Sequence, residues 1–228
     1  MIRRAFKLVY ILYYKLLFGR RFPGAETLAK RVHAWELATG RGDAPASKET
    51  WDEQYRHGRW EFMKDLDELA RYSVIAGLLR HLKPGGSILD VGAGEGLLRD
   101  EMRPHGYARY VGVDLSEAAV AKGAAQPDDR ALFVAADAEA YIPDGRFDAI
   151  VFNESVYYFA DPLGTVARYK GFLEKDGLLI VSTFRSRRAD VIARRLVEAH
   201  GLLEEVAVTN RKGTWVVRVL GGVANSAR

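Results

Sequence analysis

The sequence predicts an α/β fold built on a doubly wound, mainly parallel sheet whose last strand is antiparallel. Three observations carry that expectation. Short apolar β-runs alternate with helical segments from residue 87 onward. The first β-run, Ile88-Leu89-Asp90-Val91, passes directly into the glycine-rich turn Gly92-Ala93-Gly94-Glu95-Gly96 and then into a helix. The alternation ends on two β-runs, 204–209 and 214–220, joined by Asn210-Arg211-Lys212-Gly213, and a hairpin connection of this kind sets the last strand antiparallel.

The elements follow in order. Residues 64–82 repeat apolar side chains at Leu66, Ala70, Val74, Leu78 and Leu82, a helix face ended by Pro84-Gly85-Gly86. Residues 87–91 form the first strand and 97–105 a helix. Then come a strand at 110–113, a helix at 117–123, and strands at 131–135 and 147–152. A helix at 161–173, a strand at 178–183 and an Arg-rich helix at 189–200 precede the hairpin. These strands number seven. Parallel strands joined through helices need both sheet faces covered, which fits their runs of Ile, Val and Phe.

Upstream lies a different composition. Residues 1–25 hold Arg3, Arg4, Lys7, Lys15, Arg20 and Arg21 and no acid, a charge of +6, so residues 26–228 carry −2 of the chain's net +4. Residues 5–18 are apolar apart from Lys7 and Lys15. As a helix these 14 residues reach about 21 Å, short of a ~30 Å hydrocarbon core, so they suit an interfacial helix better than a span. A secretory signal is opposed by Lys15 and by Gly19-Arg20-Arg21-Phe22-Pro23, which lacks a small-residue cleavage site. Packing on the body or on a second copy is the alternative. Residues 25–38 form a second helix, and 40–47 read as a linker. The expected organisation is therefore a basic helical extension, 1–46, and a domain, 47–228. The expected location is cytoplasmic, at the inner face of the membrane through residues 1–25. The chain has no cysteine, which excludes disulfides, thiolate metal sites and a cysteine nucleophile.

The chemistry gathers at strand ends. Gly-x-Gly-x-Gly at 92–96 departs from the Gly-x-Gly-x-x-Gly of dinucleotide sites, with Leu97 at the usual third glycine. Asp114 ends the second strand, 20 residues after Gly94, where a carboxylate accepts from both hydroxyls of a ribose or caps the following helix. Asp137, followed by Ala138, ends the third strand as an acceptor for an adenine amino group or as a turn cap. Asn153 and Glu154 end the fourth.

On these motifs, residues 50–220 resemble a class I S-adenosylmethionine-dependent methyltransferase, with a Rossmann-like seven-stranded sheet. The resemblance implies S-adenosylmethionine as cofactor, with Asp90, Gly92, Ala93, Gly94 and Gly96 about its methionine moiety. It implies Asp114 and Leu115 at the ribose, Asp137 and Ala138 at the adenine, and Asn153 near the reacting methyl. Trp51-Asp52-x-x-Tyr55 is similar to the segment that folds over the cofactor in relatives, which places Tyr55 there.

Methyl transfer to a hydroxyl needs a base; transfer to an amine needs mainly alignment. Glu154 is the candidate base or ammonium anchor, against a capping carboxylate. His57 is a second candidate, against an exposed loop histidine. Tyr158, with Tyr157, lines the acceptor pocket or the core. Arg185, Arg187 and Arg188 follow the fifth strand, where arginine forks suit a phosphate-linked sugar, against a solvated basic turn. The sequence shows no metal-ligand cluster. The expected function is methylation of a small-molecule or glycan acceptor, with oxygen of a sugar-like hydroxyl ahead of nitrogen of a small amine or amino sugar. A NAD-type oxidoreductase and a non-catalytic nucleotide-binding module are the alternatives from other classes. Nucleic acid is not expected, because residues 26–228 are slightly acidic.

Overall fold

A computed structural model describes Arg31 and residues 47–221. The sequence expectations for helices at 5–18 and 25–38 lie outside the described residues. Within them, seven strands form one sheet in the order β3-β2-β1-β4-β5-β7-β6. The strands are β1 (Ile88–Val91), β2 (Tyr110–Asp114), β3 (Ala131–Ala135), β4 (Phe147–Asn153), β5 (Leu173–Phe184), β6 (Leu202–Asn210) and β7 (Gly213–Leu220). β1 pairs in parallel with β2 and β4, and β4 with β5. β7 inserts antiparallel between β5 and β6, so the terminal hairpin is as expected. The helices are α1 (Lys48–Arg56), α2 (Leu66–Leu82), α3 (Leu97–Met102), α4 (Glu117–Ala124), α5 (Pro162–Lys170) and α6 (Arg187–His200).

Two apolar cores lie on opposite sheet faces, as parallel strands require. One packs Leu89, Val113, Phe152 and Val181 against Val166, Ile192 and Leu196 of α5 and α6. The other packs Ile88, Val151, Val217 and Val219 against Tyr72, Ile75 and Leu79 of α2 and Leu98 of α3. Within a strand, alternate residues serve alternate cores, for example Ile150 and Val151.

Helix α2 corrects the expected face. The stripe Leu66, Ala70, Val74, Leu78, Leu82 is not the buried face: Leu66, Ala70 and Leu82 are exposed, Leu66 by 81%, and Val74 and Leu78 only flank the core. The buried face carries Glu68, Arg71, Tyr72, Ile75, Ala76 and Leu79. Apolar and polar residues fall on every side of this helix, so periodicity alone does not choose a face. A Glu68–Arg71 ion pair at 3.1 Å lets two charges enter the interior together.

Several boundaries also move. The helix expected over 161–173 stops at Lys170, and β5 begins at Leu173. Asp161 caps α5 by accepting from Gly164 N–H, with Pro162 opening the first turn. Ser186 caps α6 by accepting from Ala189 N–H, so that helix starts at Arg187. Among the described residues no helix is long and apolar enough to cross a membrane.

Candidate active site

The carboxyl ends of β1, β2, β4 and β5 open into a cavity of about 560 Å³. Strands run in parallel there, so their ends and the turns that leave them converge on one edge, the place where doubly wound sheets hold ligands. A smaller recess adjoins it, lined by Tyr55, Tyr72, Asp90, Gly92, Ala93 and Gly94 among others.

The glycine turn forms the floor of the recess. Gly94 has φ +56°, and a Cβ there would stand 2.7 Å from the Tyr55 hydroxyl oxygen. A Cβ on Gly92, at φ +81°, would lie 2.4 Å from Ser155 Cβ. Both positions therefore need glycine, for backbone conformation and for close approach. Gly96 has a different task. It stands at the N-cap of α3, where a Cβ would meet the Phe133 ring at 2.5 Å, and it lines neither the cavity nor the recess.

Asp114 ties the edge together. Its Oδ2 accepts from Gly94 N–H at 2.8 Å and its Oδ1 from Ser116 N–H at 2.9 Å. Ser116, not Asp114, caps α4, so the capping alternative for Asp114 is replaced by a tether to the glycine turn. Burial raises the Asp114 carboxyl above its ordinary range. Asp114 and Leu115 line the cavity, as do Asp137 and Ala138. Asp137 also takes the turn role weighed in the sequence, because its Oδ1 accepts from Glu139 N–H at 2.9 Å.

A roof covers these groups. α1 carries Trp51 and Tyr55, and Trp60 follows; ring centroids lie 5.3 Å apart for Trp51–Trp60 and 5.2 Å for Trp51–Tyr158. Buried Asp52 fastens the roof by accepting from Ser116 Oγ at 2.7 Å and Ala118 N–H at 3.0 Å, bonds that hold its carboxyl below the ordinary range. Lys64 reaches Glu95 on the glycine turn at 2.9 Å.

Glu154 has φ +58°, in the left-handed region that a non-glycine residue seldom occupies, and its carboxylate faces the end of β5. Oε1 accepts from Ser182 Oγ, and Oε2 from Phe184 N–H and Tyr157 Oη, each at 2.8 Å. Burial nonetheless pushes its carboxyl up. Glu154, Tyr157 and Tyr158 all line the cavity.

Two expectations are corrected. His57 is exposed at the C-cap of α1, with Nδ1 2.8 Å from Glu53 O, and it does not line the cavity. The helix end turns it away from the aromatic roof. Arg185, Arg187 and Arg188 also lie off the cavity, because Ser186 starts α6 there and carries the chain away from the edge.

Several lining residues escaped sequence reasoning, Arg71 and Trp215 among them. Arg71 of α2 lines the cavity and is fully buried, with Nη1 donating to Asn153 Oδ1 and Nη2 to Glu68. Trp215 of β7 lines the same space. Arg71 sits on a face that the apolar stripe hid; the signal that reveals it is a Glu68–Arg71 pair at helical i,i+3 spacing beside Tyr72, Ile75 and Leu79.

The residues fit a nucleoside carrying an amino-acid end. Among the described residues, buried Asp90 Oδ1 and Arg71 Nε lack hydrogen-bond partners. They are an acceptor and a donor, matching an ammonium and a carboxylate. Burial pushes the Asp90 carboxyl up to about 7, and Tyr110 Oη donates to its other oxygen at 2.5 Å.

A Rossmann-like sheet with an antiparallel β7 and a covered glycine turn at the end of β1 is the architecture of class I methyltransferases. Residues 55–215 match the methyltransferase domain family, and the chain belongs to it. A curated relative, the ubiquinone biosynthesis O-methyltransferase of Alkalilimnicola ehrlichii, is 32% identical over 166 residues, 71% of this chain and 64% of that protein. The chain spans between about half and two thirds of the length of the first curated relatives it matches. Among solved structures, the N-methyltransferase NodS of Bradyrhizobium japonicum with S-adenosyl-L-homocysteine superposes at a TM-score of 0.66 and 17% identity, over 75% of this chain and 97% of that one. The 1,6-didemethyltoxoflavin-N1-methyltransferase of Burkholderia thailandensis gives 0.64 and 24%, over 76% and 85%. These two likenesses establish the fold.

Proposed function

We propose that the chain transfers the methyl group of S-adenosylmethionine to a hydroxyl of a small-molecule acceptor. The observation that carries this reading is the pairing of a glycine turn with two orphaned buried groups, Asp90 Oδ1 and Arg71 Nε, beside the Asp114 carboxylate. Asp90 receives the ammonium of the cofactor and Arg71 its carboxylate. Asp114 receives the ribose and Asp137 the adenine amino group. When bound, the cofactor supplies an electrophilic methyl on a sulfonium, so the protein has mainly to align and to desolvate.

The chain's own residues do both. Trp51, Tyr55 and Trp60 exclude water above the site. Arg71 fixes Asn153 through its Oδ1, so the amide presents one orientation to the reacting centre. Glu154 is the proton acceptor for the hydroxyl: burial raises its affinity for a proton, and Tyr157 and Ser182 hold it in place. N-methylation of a small amine or amino sugar is the second reading, supported by the carboxylates of buried Glu68 and half-buried Glu154, which both line the cavity. On this reading the chain has an arm, 1–46, and a catalytic domain, 47–228. The acid-free +6 segment 1–25 docks on the anionic inner face of a membrane.

Isothermal calorimetry tests the cofactor assignment. S-adenosylhomocysteine should bind, and preferential binding of NAD would overturn the reading.

A further inference from the structure

We infer that Glu139 is a positioning residue for the cofactor's base: it ties the acceptor Asp137 to the loop that carries Phe159, and so sets the preference for adenine. This inference rests on the methyl-transfer reading above. Asp137, Glu139 and Phe159 all line the cavity, and they come from two connections, the turn after β3 and the loop after β4. Phe159 is buried, its ring edge to face with Phe152 at 6.1 Å between centroids.

Glu139 joins the two connections. Its N–H donates to Asp137 Oδ1 at 2.9 Å. Its carboxylate accepts from the N–H groups of Ala160 and Asp161, each at 3.0 Å. These two donors follow Phe159 directly and precede the first turn of α5. That helix has its own cap in Asp161, which accepts from Gly164 N–H at 2.9 Å. The Glu139 carboxylate therefore holds the loop ahead of the helix. The grip is mutual. From α5, Arg168 Nη2 and Tyr169 Oη donate to Ala138 O at 2.6 and 2.9 Å, and Arg168 Nη1 donates to Tyr141 O at 2.6 Å. Turn and loop are thus held as one unit.

This bears on the base through Asp137. Its Oδ1 is taken by Glu139 N–H, and its Oδ2 accepts from no group among the described residues. A carboxylate pinned by one oxygen presents the other as a fixed acceptor, the complement of an amino group. An acceptor set in advance costs little ordering when the ligand arrives. A base without the amino group leaves that oxygen desolvated and unpaired.

The test uses the full chain and two ligands, S-adenosylhomocysteine and its 6-deamino analogue, in which hydrogen replaces the amino group. Calorimetry should give S-adenosylhomocysteine an affinity at least about tenfold tighter than the analogue. Glu139→Ala should cut that preference to within about threefold with little change for the analogue, whereas partial unfolding weakens both ligands alike. Glu139→Gln keeps an oxygen for one of the two loop N–H groups and should restore part of the preference. Asp137→Ala should abolish the preference, and adding Glu139→Ala should lower the ratio no further, because Glu139 acts through Asp137. A ratio that Glu139→Ala leaves unchanged overturns the inference. Equal affinity of the unaltered chain for the two ligands also overturns it, and the cofactor reading survives. If S-adenosylhomocysteine does not bind, the methyl-transfer reading falls and takes this inference with it.

Discussion

The hydroxyl of Tyr55 occupies the space into which a side chain on Gly94 would grow, 2.7 Å from the position of a Cβ. The roof and the floor of the cofactor recess thus touch at one point. Gly94→Ala brings that contact and a left-handed backbone penalty together. Its expected effect is a loss of about 1–2 kcal/mol in S-adenosylhomocysteine binding. Adding Tyr55→Phe removes the obstructing oxygen and should recover part of the loss. Calorimetry on the single and double variants checks this, and full additivity of the two losses would contradict the contact.

Asp114 holds the glycine turn by one oxygen and the start of α4 by the other. Asp114→Ala should weaken S-adenosylhomocysteine binding by about 1–3 kcal/mol, the scale of a lost buried acceptor. An unchanged affinity would leave Asp114 with a tethering role alone.

Asp90 makes stability depend on pH. Its folded-state pKa of about 7 lies above the ordinary value of 3.8, so between these limits the folded chain binds the proton more readily. The contribution is full below about pH 4 and is lost as pH rises through about 7. Asp90→Asn should remove that slope, so the variant gains on the wild type by a few kcal/mol, at about 1.4 kcal/mol per pH unit, between pH 5 and 8 without cofactor. Urea melts at both pH values measure the difference; a constant gap would refute it.

Asp52 fastens the aromatic roof to α4. Asp52→Ala should speed S-adenosylhomocysteine dissociation by about tenfold, the equivalent of one lost charge-assisted bond. Trp51 and Trp60 provide the fluorescence signal for stopped flow. The same carboxyl is held below its ordinary pKa, so its contribution is present above about pH 4 and lost in more acid solution.

The basic arm gives a separate test. Deletion of residues 1–24 should release the protein from anionic vesicles in a sedimentation assay while its melting temperature stays unchanged. An insoluble product would instead indicate that the arm packs on the body.

Much of this was legible because parallel strands advertise themselves. The ends of the four short β-runs 88–91, 110–114, 131–135 and 147–153 placed the glycine turn, Asp114, Asp137, Asn153 and Glu154 on one edge. Arg71 was hidden because α2 mixes apolar and charged residues on both faces, so a charged residue there looked like the solvent side. Trp215 was hidden because only the sheet order brings β7 beside β5. His57 misled because proximity in sequence to Tyr55 says nothing about direction: two residues along a helix is more than half a turn.

The position of β7 has a consequence for truncation. β6 is an edge strand whose single neighbour is β7, and β7 alone joins it to β5. A chain cut before Gly213 would lose both ladders of β7 and leave the β5 edge unpaired, a template for pairing with another chain.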